Sequence, residues 1–238
     1  MRRRFFVDQF TDNTATMEGD AAHHLGRVLR AEPGQLYELS DGRQVRLARV
    51  EKVARERIDF GLLDEIPSNE PKLHLNLLLS IVKFDSFEWA LEKATELGLS
   101  VIVPLAAARS EKSLIDAAEK RAVRWQKILM ESAQQSRRMR VPQLLSALRP
   151  AQAFTLNESD LKLLLSERHD APPLRAVLSN SHPKQVTLAI GPEGGWTDEE
   201  LELARKAGFH EASLGKLILR AETAVIAALA SINYAVPD

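Results

Sequence analysis

No cysteine occurs among the 238 residues, so disulfides, thiolate metal sites and cysteine nucleophiles are all excluded. No apolar run approaches the roughly 20 residues that a membrane span needs. The basic start, Arg2-Arg3-Arg4, is followed by only three apolar residues before Asp8, too few for the apolar region of a signal peptide. A soluble protein of the cytoplasm, with no membrane partner, is the expectation. Net charge is nearly absent too: −1 at neutral pH argues against a uniformly basic nucleic-acid binder, and the distribution of charge then matters more than its sum. What remains is ordinary globular composition, 45% hydrophobic and 27% charged, in a chain long enough for one large domain or two small ones.

Charge is concentrated locally. Residues 121–149 carry seven Lys+Arg against one acid, Glu131, and residues 1–57 carry eleven against nine acids. Residues 1–66 read as short β elements. Leu36–Leu39, the turn Asp41-Gly42 and Val45–Val50 form a hairpin pattern, and Ile58–Leu62 alternates again. A helix is expected over 21–30, capped by Asp20. On it, His23 and His24 point about 100° apart and cannot easily share an ion, so no metal site is expected. Arg27 and Arg30, three apart, are expected on one face, where they either hold phosphates or merely solvate the helix. Ile66–Pro71 has linker composition, which sets the domains at 1–68 and 72–238.

From Lys72 the pattern changes to alternating strands and helices. Strands are expected at 73–82, 101–105, 161–165 and 186–190. Helices are expected at 86–97 with Gly98 as C-cap, at 116–136, from a Thr197…Glu200 capping box to Gly208, and at 221–235. This rhythm implies an α/β fold with a parallel sheet and helices on both sides. Such sheets place ligands at the carboxyl ends of their strands, and Ser166, Gly191 and Gly215 each lie just past such an end.

Two stretches near the end organise the rest: Ile190-Gly191-Pro192-Glu193-Gly194-Gly195, and Leu214-Gly215-Lys216-Leu217-Ile218-Leu219-Arg220-Ala221-Glu222-Thr223-Ala224. Glycines and a proline between a strand and a helix make a tight turn where backbone can approach a ligand. It is not a phosphate loop, because Trp196-Thr197 stands where Lys-Ser/Thr is required, and it does not match the dinucleotide turn. In the second stretch, Arg220 and Glu222 stand at the mouth of an otherwise small and apolar helix.

These two motifs, in order and at matching spacing, resemble the C-terminal signature of the RsmE family of SPOUT-type RNA methyltransferases. The resemblance extends to Arg4-Phe5-Phe6, His24–Arg30, Glu92–Gly98 and Arg124–Arg138, nearly the whole chain. Phe84 and Ser86 depart from it, standing where the family commonly has a glycine and a basic residue.

The resemblance implies an N-terminal PUA-like β-barrel that helps to bind RNA and a C-terminal SPOUT domain with a deep trefoil knot. It also implies a homodimer and methyl transfer from S-adenosylmethionine to N3 of a uridine in 16S ribosomal RNA of the small subunit. The alternatives are another SPOUT reaction (ribose 2′-O or guanine N1 methylation) or a non-catalytic RNA-binding assembly factor. Cofactor contacts are expected from Leu165, Ser166, Gly191, Pro192, Glu193, Gly194, Leu214, Gly215, Ile218, Leu219, Arg220 and Thr223. Arg220 is expected to steady an anionic uridine or the cofactor carboxylate and Glu222 to orient Arg220 or accept a proton, as the catalytic pair, unless the two form a structural ion pair that closes the loop. Arg4, Arg27, Arg30, Arg137 and Arg138 are the expected RNA contacts, with Arg124 a further candidate.

Overall fold

The computed structural model describes residues 3–67, 71–156, 158–179 and 182–236. Arg2 and linker residues 68–70 lie outside the described residues. The chain divides into two compact units, Met1–Glu70 with Ala133–Val141, and Pro71–Ser132 with Pro142–Asp238. The expected division at the 66–71 linker therefore has an addition: nine residues after Ser132 belong to the first unit.

The first unit is a six-stranded mixed sheet. Its elements are β1 (Arg4–Phe6), β2 (Phe10–Thr11), β3 (Thr14–Glu18), α1 (Gly19–His23), β4 (Leu36–Ser40), β5 (Val45–Val53) and β6 (Arg57–Ile66), in spatial order β1-β4-β5-β6-β3-β2. The expected hairpin is β4–β5, paired antiparallel from Leu36↔Arg49 to Ser40↔Val45. Register shifts along β5 and β6 curl the sheet around a core that includes Phe5, Met17, Leu25, Leu39 and Phe60.

The helix expected over 21–30 differs in kind. Its N-cap is Glu18 rather than Asp20, and His24–Val28 winds as a π-helical turn, with Leu29 N–H donating to His24 O. Arg30 lies past the helix at φ 53°, so Arg27 and Arg30, both exposed, do not share a helical face.

Arg4 is also placed differently from expectation. It is buried, donating from Nε and Nη2 to Glu38 at 3.1 and 2.9 Å and from Nη1 to the carbonyl of Arg137. A guanidinium so committed cannot reach a phosphate. Instead it pins residues 133–141, together with Ser40 Oγ donating to Met139 O at 2.7 Å and Arg140 Nε donating to Gly42 O at 2.6 Å. Arg4→Met leaves the Glu38 carboxylate buried with only Arg137, 3.7 Å away. It is expected to cost about 2 kcal/mol, less than an uncompensated buried charge because Arg137 remains. A lowered urea midpoint with an unchanged slope checks this.

The second unit is an all-parallel sheet. Its elements are β7 (His74–Ser80), α2 (Phe84–Glu96), β8 (Leu99–Leu105), α3 (Lys112–Gln135), β9 (Gln143–Leu144), α4 (Pro150–Ala153), β10 (Leu161–Leu165), α5 (Leu174–Leu178), β11 (Gln185–Ile190), α6 (Asp198–Lys206), β12 (His210–Ala212) and α7 (Ala221–Ala235). The last three residues of α3 begin the segment that belongs to the first unit. Strand order is β12-β10-β11-β7-β8-β9.

Alternation along the strands explains the two helical layers. Leu78, Val103, Leu164 and Ala189 lie side by side on one face and pack on Phe154 of the α4 end and Ala204 of α6. The residues between them bury the other face, where α2 contacts β8, α7 contacts β11, and α2 and α7 pack together. β9, α4 and α5 have two to five residues each, and the sequence reading did not find them.

Candidate functional site

The carboxyl ends of β10, β11 and β12 open into one cavity of about 540 Å³. Three loops build its wall: Leu165–Arg168, Ile190–Trp196 and Ser213–Ala221, with Ala224 of α7, Leu201 of α6 and Arg109. The volume lies in the range of small-molecule and cofactor sites.

The glycine turn is shaped by its neighbours. Gly195 takes φ 70° and donates its N–H to Pro192 O at 2.8 Å, closing a tight turn in a conformation that glycine adopts without strain. A Cβ on Gly191 would lie 3.0 Å from the Trp196 ring. That ring is buried, and its Nε1 donates to Leu165 O at 2.9 Å, joining the first loop to the second. Below the turn, α6 starts with the expected capping box: Glu200 N–H donates to Thr197 Oγ1 at 3.2 Å, and Thr197 N–H to Glu200 at 2.9 Å. The third loop is tied similarly, with Gly215 at φ 132° and Ser213 Oγ donating to Gly215 O at 3.0 Å. Ser166 N–H donates to Ala212 O at 2.9 Å, which binds the first loop to the end of β12, where the third begins.

Of the residues expected at a cofactor site, Leu165, Ser166, Gly191, Pro192, Glu193, Gly194, Leu214, Gly215, Ile218, Leu219 and Arg220 line this cavity. Thr223 does not: it is exposed on the first turn of α7, away from the wall. Glu222 does not either. Helical spacing turns it from Arg220 into the protein, where it is buried. Arg220 and Glu222 form no ion pair, which corrects the structural ion pair expected of them. Arg220 itself is exposed on the cavity wall, and its side chain makes no hydrogen bond among the described residues.

Arg109 and Trp196 were missed. Arg109 follows β8, and the rule that pointed to the ends of the other strands applies to that end as well. Arg168, also on the wall, bonds both Asp170 oxygens at 3.1 and 3.2 Å, and that bonding holds the Asp170 carboxyl below the usual carboxylate range. Among the described residues no group of three His, Asp or Glu could hold a metal, and no helix is long and apolar enough to cross a membrane.

Comparison with known proteins decides the family. A family profile described as an RNA methyltransferase domain matches residues 69–233. Ribosomal RNA small subunit methyltransferase E of Synechocystis is 37% identical over 231 residues, covering 95% of this chain and 75% of the relative. The chain belongs to the ribosomal RNA small subunit methyltransferase E family. The Bacillus subtilis member is 32% identical over 232 residues, covering 93% of this chain and 90% of its own. The crystal structure of the family member from Neisseria gonorrhoeae, bound to S-adenosyl methionine, superposes with a TM-score of 0.88 at 31% identity, over 99% of this chain and 98% of that one.

Of the expected RNA contacts, Arg27 and Arg30 are exposed, while Arg137 and Arg138 are half-buried. Arg124 is exposed but paired with the buried Glu88 at 2.6 Å.

Proposed function

We propose that the chain transfers a methyl group from S-adenosylmethionine to N3 of a uridine in 16S ribosomal RNA of the small subunit. The observation that carries this is the three-loop cavity at the strand ends, reached in a chain whose family member from Neisseria gonorrhoeae is crystallised with that cofactor. The residues fit the group. Glycines at 191 and 194 let the turn lie close against Trp196 and Arg109 on the cavity wall, where a Cβ would press on either side chain, and Leu165, Ile218 and Leu219 offer an apolar wall for the adenine.

S-adenosylmethionine, when bound, supplies an electrophilic methyl group on a sulfonium. The protein's task is alignment, because in-line displacement rewards fixed geometry. N3 of uridine carries a hydrogen on its pairing edge, so the base must be unpaired or flipped to enter. As N3 loses its proton the base gains negative charge, and Arg220, exposed on the wall without a partner, is placed to steady it. Glu222 is buried off the wall and is left out of the reaction.

RNA is held, in this reading, by Arg27, Arg30, Arg137 and Arg138 of the first unit, whose curled sheet is a PUA-like barrel. Arg4 positions that basic segment. The knotted threading belongs to the same reading. β12 is the edge strand, yet the helix after it packs against the interior strand β11 and on both α2 and α5. A homodimer would cover Trp89 of α2 and Tyr234 of α7, which are 47% and 93% exposed on adjacent helices.

The test is incubation of the purified protein with labelled cofactor and small subunits lacking the modification, followed by nucleoside analysis of the 16S RNA. N3-methyluridine is expected. A 2′-O-methyl nucleoside or N1-methylguanosine would assign a different reaction, and no label in RNA would leave a non-catalytic binding factor.

A further inference from the structure

Arg109 is the cation on the cavity wall that is anchored to the glycine turn. Its Nη1 donates to Gly194 O at 2.8 Å and to Trp196 O at 3.2 Å. Its stem lies flat against the turn, such that a Cβ on Gly194 would stand 3.2 Å from Arg109 Cβ. The backbone just before it is fixed as well, because Ala108 N–H donates to Glu200 Oε1 at 2.8 Å, and Glu200 is the buried residue that caps α6. Side chain and backbone are thus both tied to the glycine turn. Nε and Nη2 of Arg109 have no acceptor among the described residues, while the residue itself lines the cavity.

The other cations on the wall differ. Arg168 is committed to Asp170, with Glu211 3.8 Å away. Lys216 and Arg220 are exposed, and their side chains make no hydrogen bond among the described residues. A guanidinium already fixed loses little freedom when it pairs with a planar anion, so it is the favoured partner for a carboxylate. Beside it, Glu193 is exposed on the same turn, one residue from the carbonyl that Arg109 grips, and the two charges do not pair with each other. A guanidinium with two unused donors held against the turn and an unpaired carboxylate on that turn complement an α-amino acid, which carries one group of each sign.

Resting on the cofactor reading above, we propose that Arg109 and Glu193 form an α-amino-acid subsite. Arg109 takes the carboxylate of the cofactor's methionine end and Glu193 takes its ammonium. The RNA anion is then left to Arg220. Arg109 touches no reacting atom; it fixes the tail and, through it, the direction of the sulfonium.

The test is calorimetric titration of the full chain with S-adenosylmethionine and with decarboxylated S-adenosylmethionine, which lacks only the carboxylate. The unmodified protein is expected to prefer the first by about 10- to 100-fold, as charge-assisted hydrogen bonds provide. In Arg109→Gln, which can still donate to Gly194 O, that preference is expected to vanish through weaker binding of S-adenosylmethionine alone. Arg109→Lys, keeping the charge, is expected to retain part of it. Glu193→Gln is expected to weaken both ligands equally, since both carry the ammonium.

If Arg109→Gln weakens both ligands alike, with a melting curve showing it folded, Arg109 acts only on the turn and the subsite is wrong. If it binds S-adenosylmethionine normally but has a raised KM for small subunits, the guanidinium serves RNA, and the proposal is overturned in that direction. If the unmodified protein binds neither ligand, the cofactor reading itself fails, an outcome separate from the other two.

Discussion

Gly191→Val is expected to lower affinity for S-adenosylmethionine by at least about 100-fold, close to 3 kcal/mol, while the protein stays folded. The reason is local. Even a single Cβ at position 191 would stand 3.0 Å from Cε2 and Nε1 of Trp196, tighter than most real Cβ contacts, and valine adds two further methyl groups. The ring is buried and bonded to Leu165 O, so it cannot retreat without breaking the tie between two walls of the cavity. Overpacking of this kind costs typically 1–3 kcal/mol, and the lost hydrogen bond adds about 1. The damage falls on loop geometry at the carboxyl ends of the strands, which leaves the core strands paired. Calorimetric titration measures the affinity and circular dichroism the fold. Near-normal binding by the variant would remove the glycine turn from the cofactor site.

Arg220→Ala is expected to do the opposite: to leave cofactor affinity within about 3-fold and lower kcat by 100- to 1,000-fold, the range for loss of one preorganised charge stabiliser. Arg220 caps α7 by position but makes no side-chain cap bond and no ion pair, so its removal costs little stability. Single-turnover methylation of small subunits at saturating cofactor isolates the chemical step. Arg220→Lys should recover part of the rate, because charge survives while the planar fork is lost. An unchanged kcat in Arg220→Ala would assign the developing negative charge to another group.

These two expectations rest on features that were legible in the sequence for different reasons. Glycine and proline punctuate a strand-to-helix junction whatever the tertiary context, so the 190–195 turn and the Leu214-Gly215 turn stood out at once. The parallel sheet was legible too, because Leu161–Leu165 and Val186–Ile190 are short apolar runs with turn signals on both sides. Arg109 was not. It reaches Gly194 across 85 residues, and no local pattern marks an arginine that will lie along a distant turn. Arg4 misled for the same reason: a terminal basic run looks solvated until the partner 34 positions on, Glu38, is known to be buried beside it. Glu222 misled by proximity in sequence to Arg220, since two positions along a helix turn a side chain to another face. The π-helical turn at His24–Val28 changes the winding without changing the composition, and so the shared face expected for Arg27 and Arg30 was lost.

The wall of the cavity draws on loops that follow three strands, and it is completed only by Ala221 and Ala224 of the final helix. A chain emerging in order from its N-terminus therefore has no finished ligand site until the start of α7 is available. The ligand then acts as a late lock. It binds only the finished arrangement and stabilises it by mass action, while every shorter or partly docked form gains nothing from its presence. Cells rich in the cofactor would favour complete over incomplete copies of this fold with no separate checkpoint.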